Sequence, residues 1–103
     1  MRQFTTPEQT AKLIELGFER PCSIASVEPI YGMGGISVAK AYTIGELIEM
    51  LPTIVDDFTL WIGRDERSNQ WFVKYHPRTL VIDKELIDAL YDMAVKLKEE
   101  GVI

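Results

Sequence analysis

The twenty residues from Asp83 to Val102 leave the chain the least freedom, because they carry the full signature of one amphipathic helix. Asp83 is placed to N-cap it, since a carboxylate oxygen can accept a free backbone N–H of the first turn. Ile82 before that cap and Ile87 inside the helix have the spacing of a hydrophobic staple. Gly101 is placed to end it in the left-handed conformation, with Val102 folding back towards Leu97 as in a Schellman ending. Lys96 and Lys98 suit the negative end of the helix dipole. At about 100° per residue, Leu86, Ala89, Leu90, Met93, Ala94 and Leu97 share one side with Ile87 and Tyr91 on its flank, an arc of roughly 200°. Asp88, Asp92 and Glu99 mark the wet face. A helix with so wide an apolar arc needs a sheet or several elements over it, and the remaining residues must supply that cover.

With 103 residues the chain fits one domain, 1–103, able to bury a core without metals or disulfides. Hydrophobic residues are 47% and charged residues 26%, which argues against wholesale disorder. A net charge of −5 offers no field for phosphate backbones, so neither nucleic acid nor an anionic membrane is expected as a main partner. Cys22 is the single cysteine, which excludes an internal disulfide and points to a reducing compartment. The N-terminus is not followed by an apolar signal region, and no run reaches the length of a membrane span. The expected location is the cytoplasm.

Thr6-Pro7-Glu8-Gln9 combines a capping threonine, a proline whose missing N–H costs nothing, and a reciprocal glutamine, so a short helix should begin there. Leu13 and Ile14 supply its apolar side and Gly17 stops it. Pro21 to Val27 reads as a strand, and Pro29 to Gly35 as a loop. Ile36, Val38 and Tyr42 alternate with smaller residues, as in a half-buried strand. Thr43 and Glu46 form a second capping box, with Tyr42 and Leu47 as its staple. Ile44, Leu47, Ile48 and Leu51 make the stripe of this helix, and Pro52 ends it.

Two strands follow, Asp57 to Ile62 and Gln70 to His76, separated by the polar stretch Gly63 to Asn69. Pairing Leu60 with Val73 puts Phe58 against Tyr75 and Ile62 against Trp71, six apolar residues on one face. A slip by one residue would mix Gln70 and Lys74 into that face, so the first register is preferred. The other face then sets Asp57 beside His76, Thr59 beside Lys74 and Trp61 beside Phe72. Thr79 to Ile82 adds a short extended piece. The fold class is therefore α+β, an antiparallel sheet with a β-hairpin packed against a long C-terminal helix and two shorter helices.

Chemistry is sparse in this pattern. Gly32, Gly34 and Gly35 could form an anion nest, but Ser37 stands where a dinucleotide fingerprint needs its third glycine, and no Gly-Lys-Ser/Thr follows. His76 is the sole histidine, which excludes a two-histidine metal site; no metal and no cofactor is expected. As a general base it would need Asp57 to orient it and a nucleophile such as Cys22, and no local motif brings Cys22 and His76 together. Glu46 and Asp83 have capping uses, and no spacing forces two carboxylates to face each other. Arg64 and Arg67 flank Asp65 and Glu66, as in a solvated turn. Trp61 and Phe72 remain as large aromatics on a nominally wet face.

At Ala41-Tyr42-Thr43-Ile44-Gly45-Glu46-Leu47-Ile48-Glu49-Met50-Leu51-Pro52, and again at Glu85 to Tyr91 with the ending Glu100-Gly101-Val102-Ile103, the chain resembles small uncharacterised proteins of gut Bacteroidales, often associated with phage or other mobile elements. That resemblance covers the second helix, the hairpin spacing and the last helix. It implies an accessory role and supplies no site. The expected function is a non-enzymatic protein-interaction module whose partner, a protein or a second copy of the chain, docks on Trp61 and Phe72. The alternative is a ligand-binding or hydrolytic protein using the Gly32–Gly35 loop with His76.

Overall fold

The computed structural model describes residues 2–18, 23–30 and 35–103. In chain order its elements are α1 (Pro7–Glu15), β1 (Ser23–Ile30), β2 (Gly35–Ala41), α2 (Ile44–Met50), β3 (Ile54–Val55), β4 (Phe58–Thr59), β5 (Trp61–Asp65), β6 (Gln70–Tyr75), β7 (Thr79–Asp83) and α3 (Leu86–Glu99). β1 pairs antiparallel with β2, β3 with β4, and β5, β6 and β7 form one antiparallel sheet in that order. Against one face of that sheet, over β6 and β7, lies α3. The architecture is α+β, as the sequence pattern predicts.

The apolar arc of α3 is the centre of the core. Leu86, Ile87, Ala89, Leu90, Met93, Ala94 and Leu97 are all buried, and Val73 and Tyr75 of β6 and Leu47 of α2 belong to the same cluster. Each large aliphatic side chain buried there contributes about 1.5–3 kcal/mol relative to exposure. The helix ends as its sequence predicts. Gly101 takes φ +77°, its N–H donates to the Lys98 carbonyl at 3.1 Å, and the Val102 N–H donates to the Leu97 carbonyl at 2.9 Å.

The start of α3 differs from expectation. Asp83 is not its N-cap: it is the last residue of β7, held extended opposite Trp71. The cap position falls to Glu85, whose side chain makes no capping bond. Asp83 Oδ1 instead accepts the Glu85 N–H at 3.2 Å, so its carboxylate ties the strand-to-helix turn. Ile82 alternates to the outer face of the sheet and is 53% exposed, so it does not staple the helix.

Both capping boxes form. Thr6 Oγ1 accepts the Gln9 N–H at 3.1 Å and Gln9 Oε1 accepts the Thr6 N–H at 3.0 Å; Thr43 and Glu46 repeat the arrangement at 3.1 and 3.0 Å. Tyr42 and Leu47 are both fully buried. In α1, Leu13 is buried but Ile14 is 55% exposed, because the second buried position of this narrow helix is Thr10. The Thr10 hydroxyl can lie inside because it bonds the Thr5 hydroxyl at 2.7 Å and donates to the Thr6 carbonyl at 2.9 Å. Asp88 is not on a purely wet face either: Arg2 and Gln9 both donate to its carboxylate. Among the expected extended stretches, β1 runs on through Pro29 to Ile30 and β2 begins at Gly35, which shortens the expected 29–35 loop from both ends. Residues 21 and 22 of the expected first strand lie outside the described residues.

The expected 57–62 strand is broken in two. Asp56 and Asp57 occupy a tight turn at φ +50° and +70°, the left-handed pair that a two-residue hairpin requires, so Phe58 and Thr59 fold back on Ile54 and Val55. The chain then passes Leu60, whose N–H donates to the Thr53 carbonyl at 2.9 Å, and re-enters extended structure at Trp61. The register of β5 on β6 is accordingly displaced by two residues: Ile62, not Leu60, stands opposite Val73. The sides assigned to each residue are unchanged, since side chains alternate with a period of two. Tyr75 secures this junction by donating its hydroxyl to the Pro52 carbonyl at 2.6 Å, and burial pushes its pKa up to about 12. Arg78, following β6, bonds Asp56 at 2.6 Å and Glu100 at 3.1 Å, linking the β3–β4 turn to the end of α3.

Candidate functional site

Period-two alternation divides the β5–β6–β7 sheet into an inner face under α3 and an outer face. Ile62, Trp71, Val73, Tyr75 and Val81 belong to or pack on the core. The outer face consists of cross-strand rows. One row is Trp61–Lys74–Leu80, the next is Gly63–Phe72–Ile82, and the third is Asp65–Gln70. His76 follows beyond Lys74.

Trp61, Leu80 and Ile82 on this face are 61%, 51% and 53% exposed, so most of their apolar surface meets water. Phe72 is half-buried, and the far end of its ring, led by Cζ, fills the space beside Gly63 where a side chain would stand. Lys74 Nζ sits 5.0 Å from the centroid of that ring, a cation–π distance. Neither short helix covers the face: α2 packs on α3, and α1 lies against β2. A groove of about 220 Å³ runs over the face, its floor made by Phe72, Leu80 and Ile82. Its rim is polar, with Asp65, Ser68 and Gln70 at one end and Lys74 and His76 at the other. Asp65 also shapes the adjoining Glu66–Asn69 turn, accepting the Arg67 N–H at 3.0 Å and the Ser68 hydroxyl at 3.1 Å.

The structure thus keeps Trp61 and Phe72 on one face but not side by side. Trp61 is opposite Lys74, and Phe72 is opposite Gly63. The two-residue displacement also removes the expected Asp57–His76 pair, since Asp57 belongs to the β3–β4 turn and His76 to the groove rim. Gly35 opens β2; Gly32, Gly34 and Cys22 lie outside the described residues. Arg64 is a strand residue and not part of the loop, its guanidinium donating to Asn69 Oδ1 and standing 5.6 Å from the Trp71 ring centroid. Sequence reasoning missed Leu80 and Ile82 as members of this face. Their signal is present in the alternation of Leu80 and Ile82 with Thr79 and Val81, but the staple spacing draws Ile82 to the helix instead.

Among the described residues, no three His, Cys, Asp or Glu side chains are gathered as a metal site, and no helix is long and apolar enough to cross a membrane. Comparison of the chain with models of protein families, with curated proteins and with solved structures finds no match in any of the three.

Proposed function

We propose that this chain is a small non-enzymatic protein-interaction module whose docking surface is the outer face of the β5–β6–β7 sheet. The observation that supports this reading is the uncovered row pattern itself, with Trp61, Leu80 and Ile82 each more than half exposed around Phe72. Contiguous apolar surface of this kind, rimmed by polar residues, marks interaction sites on monomers, and Trp and Phe are enriched at the centres of interfaces. The lone Cys22 supports work in a reducing compartment such as the cytoplasm. The resemblance carried by 41–52, 85–91 and 100–103 supports an accessory role linked to phage or mobile elements.

A second reading, small-ligand binding in the groove with His76 and Lys74 as polar anchors, is favoured by their position at one rim. The groove volume of about 220 Å³ is below the roughly 300 Å³ at which ligand pockets ordinarily begin, which ranks this reading second. A thermal-stability screen against nucleotides, phosphosugars and divalent metals separates the two. The module reading expects no saturable shift. Saturable stabilisation by one ligand class would overturn it, because a ligand that binds only the native state must raise its stability.

A further inference from the structure

We infer that residues 2–5 are a strap that detaches from the body as one unit while the core stays folded, and that the contact of Arg2 with Asp88 is the ionic latch holding it shut.

The anchors of this segment are polar. Arg2 donates its backbone N–H to Glu85 Oε2 at 3.1 Å, and its guanidinium donates to both oxygens of Asp88 and, at 3.0 Å, to Gln9 Oε1. Gln3 is exposed. Phe4 makes an isolated antiparallel bridge to Thr43; it is half-buried, yet it stands outside the core cluster. Thr5 is buried, and hydrogen bonds hold it too: its N–H donates to the Tyr42 carbonyl at 3.0 Å, and its hydroxyl oxygen accepts the Tyr42 N–H at 2.9 Å. Beyond Thr5 the attachment changes character, because Leu13 of α1 is fully buried in the core. Opening the strap therefore uncovers little apolar surface, whereas opening α1 would uncover a core leucine. Segments with few buried apolar contacts lie at the low end of local stability.

The bonds on either side of Thr5 place the boundary. When Arg2 leaves, Gln9 keeps the Thr6 N–H on its oxygen and the Asp88 carboxylate on its amide. When Thr5 leaves, the Thr10 hydroxyl keeps the Thr6 carbonyl. The capping box of α1 thus survives release. Apart from the Arg2 contacts and the Phe4 bridge, release gives up the pair of bonds between Thr5 and the main chain of Tyr42, directly after β2.

Ordering so short a segment costs backbone entropy on the scale that a handful of hydrogen bonds returns, so the charged contact tips the balance. Its surroundings are one-sided. The charges of Asp83 and Asp88 both press on Asp92, and Glu85 shares Arg2 with Asp88. Among the described residues, Arg2 is the one cation bonded to this group of acids. The side chains of Arg2 and Asp88 are 39% and 24% exposed, so dissolved salt reaches the latch.

The test is native-state amide hydrogen exchange of the full chain, followed by NMR in about 20 mM and about 500 mM sodium chloride, a change that shortens the screening length about fivefold. The Thr5 and Tyr42 amides should share one protection factor, well below that of Leu90 in α3, and it should respond little to urea, as local opening requires. High salt should lower that protection about fivefold and leave Leu90 unchanged. Arg2→Gln and Asp88→Asn should each give the lower protection already at low salt and remove its salt dependence. The double variant should be no less protected than the weaker single one, because both substitutions break the same contact. Arg2→Gln alters only the strap and leaves the sequence of α3 intact, so a loss seen with both variants is not a defect of the helix. Thr5 and Tyr42 amides that exchange only with the core, at the urea dependence of Leu90, would overturn the strap. Protection indifferent to salt and to both substitutions would overturn the latch.

Discussion

The ring of Phe72 occupies the space where residue 63 would otherwise carry a side chain: a Cβ on Gly63 would come 2.5 Å from Phe72 Cζ. Gly63 and Phe72 are direct cross-strand partners, and the aromatic ring covers backbone that a glycine leaves bare. The first prediction is therefore spectroscopic. Ring current should displace a Gly63 Hα resonance in the wild-type NMR spectrum, and Phe72→Leu should abolish the displacement. Gly63→Ala should displace the ring, while the stability change stays within about 1 kcal/mol, because the obstructing group is a side chain on an open face.

Leu90 is the reference point for the core. It lies at the middle of α3 and is fully buried. Leu90→Ala should cost about 2–5 kcal/mol in denaturant unfolding, the transfer free energy of the lost atoms plus that of the cavity left behind. A loss well below 1 kcal/mol would mean that the helix is not held by the sheet.

Tyr75 should give a stability loss at high pH. Burial raises its pKa from 10.0 to about 12, so between these values the unfolded chain has released the phenolic proton while the folded chain still holds it. Stability is thus highest below pH 10 and falls as pH rises from there towards 12. Beside Tyr91, whose pKa burial also raises, phenolate absorbance should show a component from Tyr75 that resists ionisation towards pH 12. Tyr75→Phe should remove that resistance and cost about 1 kcal/mol, since it strands the Pro52 carbonyl.

Asp92 works in the acid range with the same sign. Desolvation first, then the charges of Asp83 and Asp88, raise its pKa above the ordinary carboxyl value. The unfolded chain ionises this group first as pH rises, so the folded state is penalised progressively above about pH 3.9 and fully so at neutrality. Asp92→Asn should raise the melting temperature at pH 7, and the gain should vanish in strong acid. The comparison of melting curves at the two pH values is the check.

What could be read from the residues follows the range of the interactions involved. Thr6 with Gln9, Thr43 with Glu46, and Gly101 with Val102 and Leu97 close their bonds within five positions, so local spacing carries them. The faces of β5 and β6 were legible too, because burial under α3 penalises any odd slip. The two-residue displacement was not: an even slip leaves each residue on the same face, and hydrophobic pattern cannot distinguish it. It is set by the Asp56–Asp57 turn, where two aspartates adopt positive φ without the Asn-Gly that usually announces such a hairpin. Asp83 misled for a related reason. A residue at a strand–helix boundary satisfies the chemistry of a cap, and only the pairing of β7 with β6 decides that it remains extended. The uncovered outer face was legible as two surplus aromatics, but its extent depended on β7, whose alternation on β6 turns Leu80 and Ile82 to the same side.

Arg2 and Gln9 both donate to Asp88, while Gln9 Oε1 also accepts from Arg2 at 3.0 Å. One carboxylate in the first turn of α3 thus joins the beginning of the chain to the helix at its far end. Positions 2, 9 and 88 consequently form an inheritance unit: a lineage that loses the acid at 88 is left with a guanidinium and an amide that have lost a shared acceptor. Across descendants of this sequence, these three positions are expected to change together.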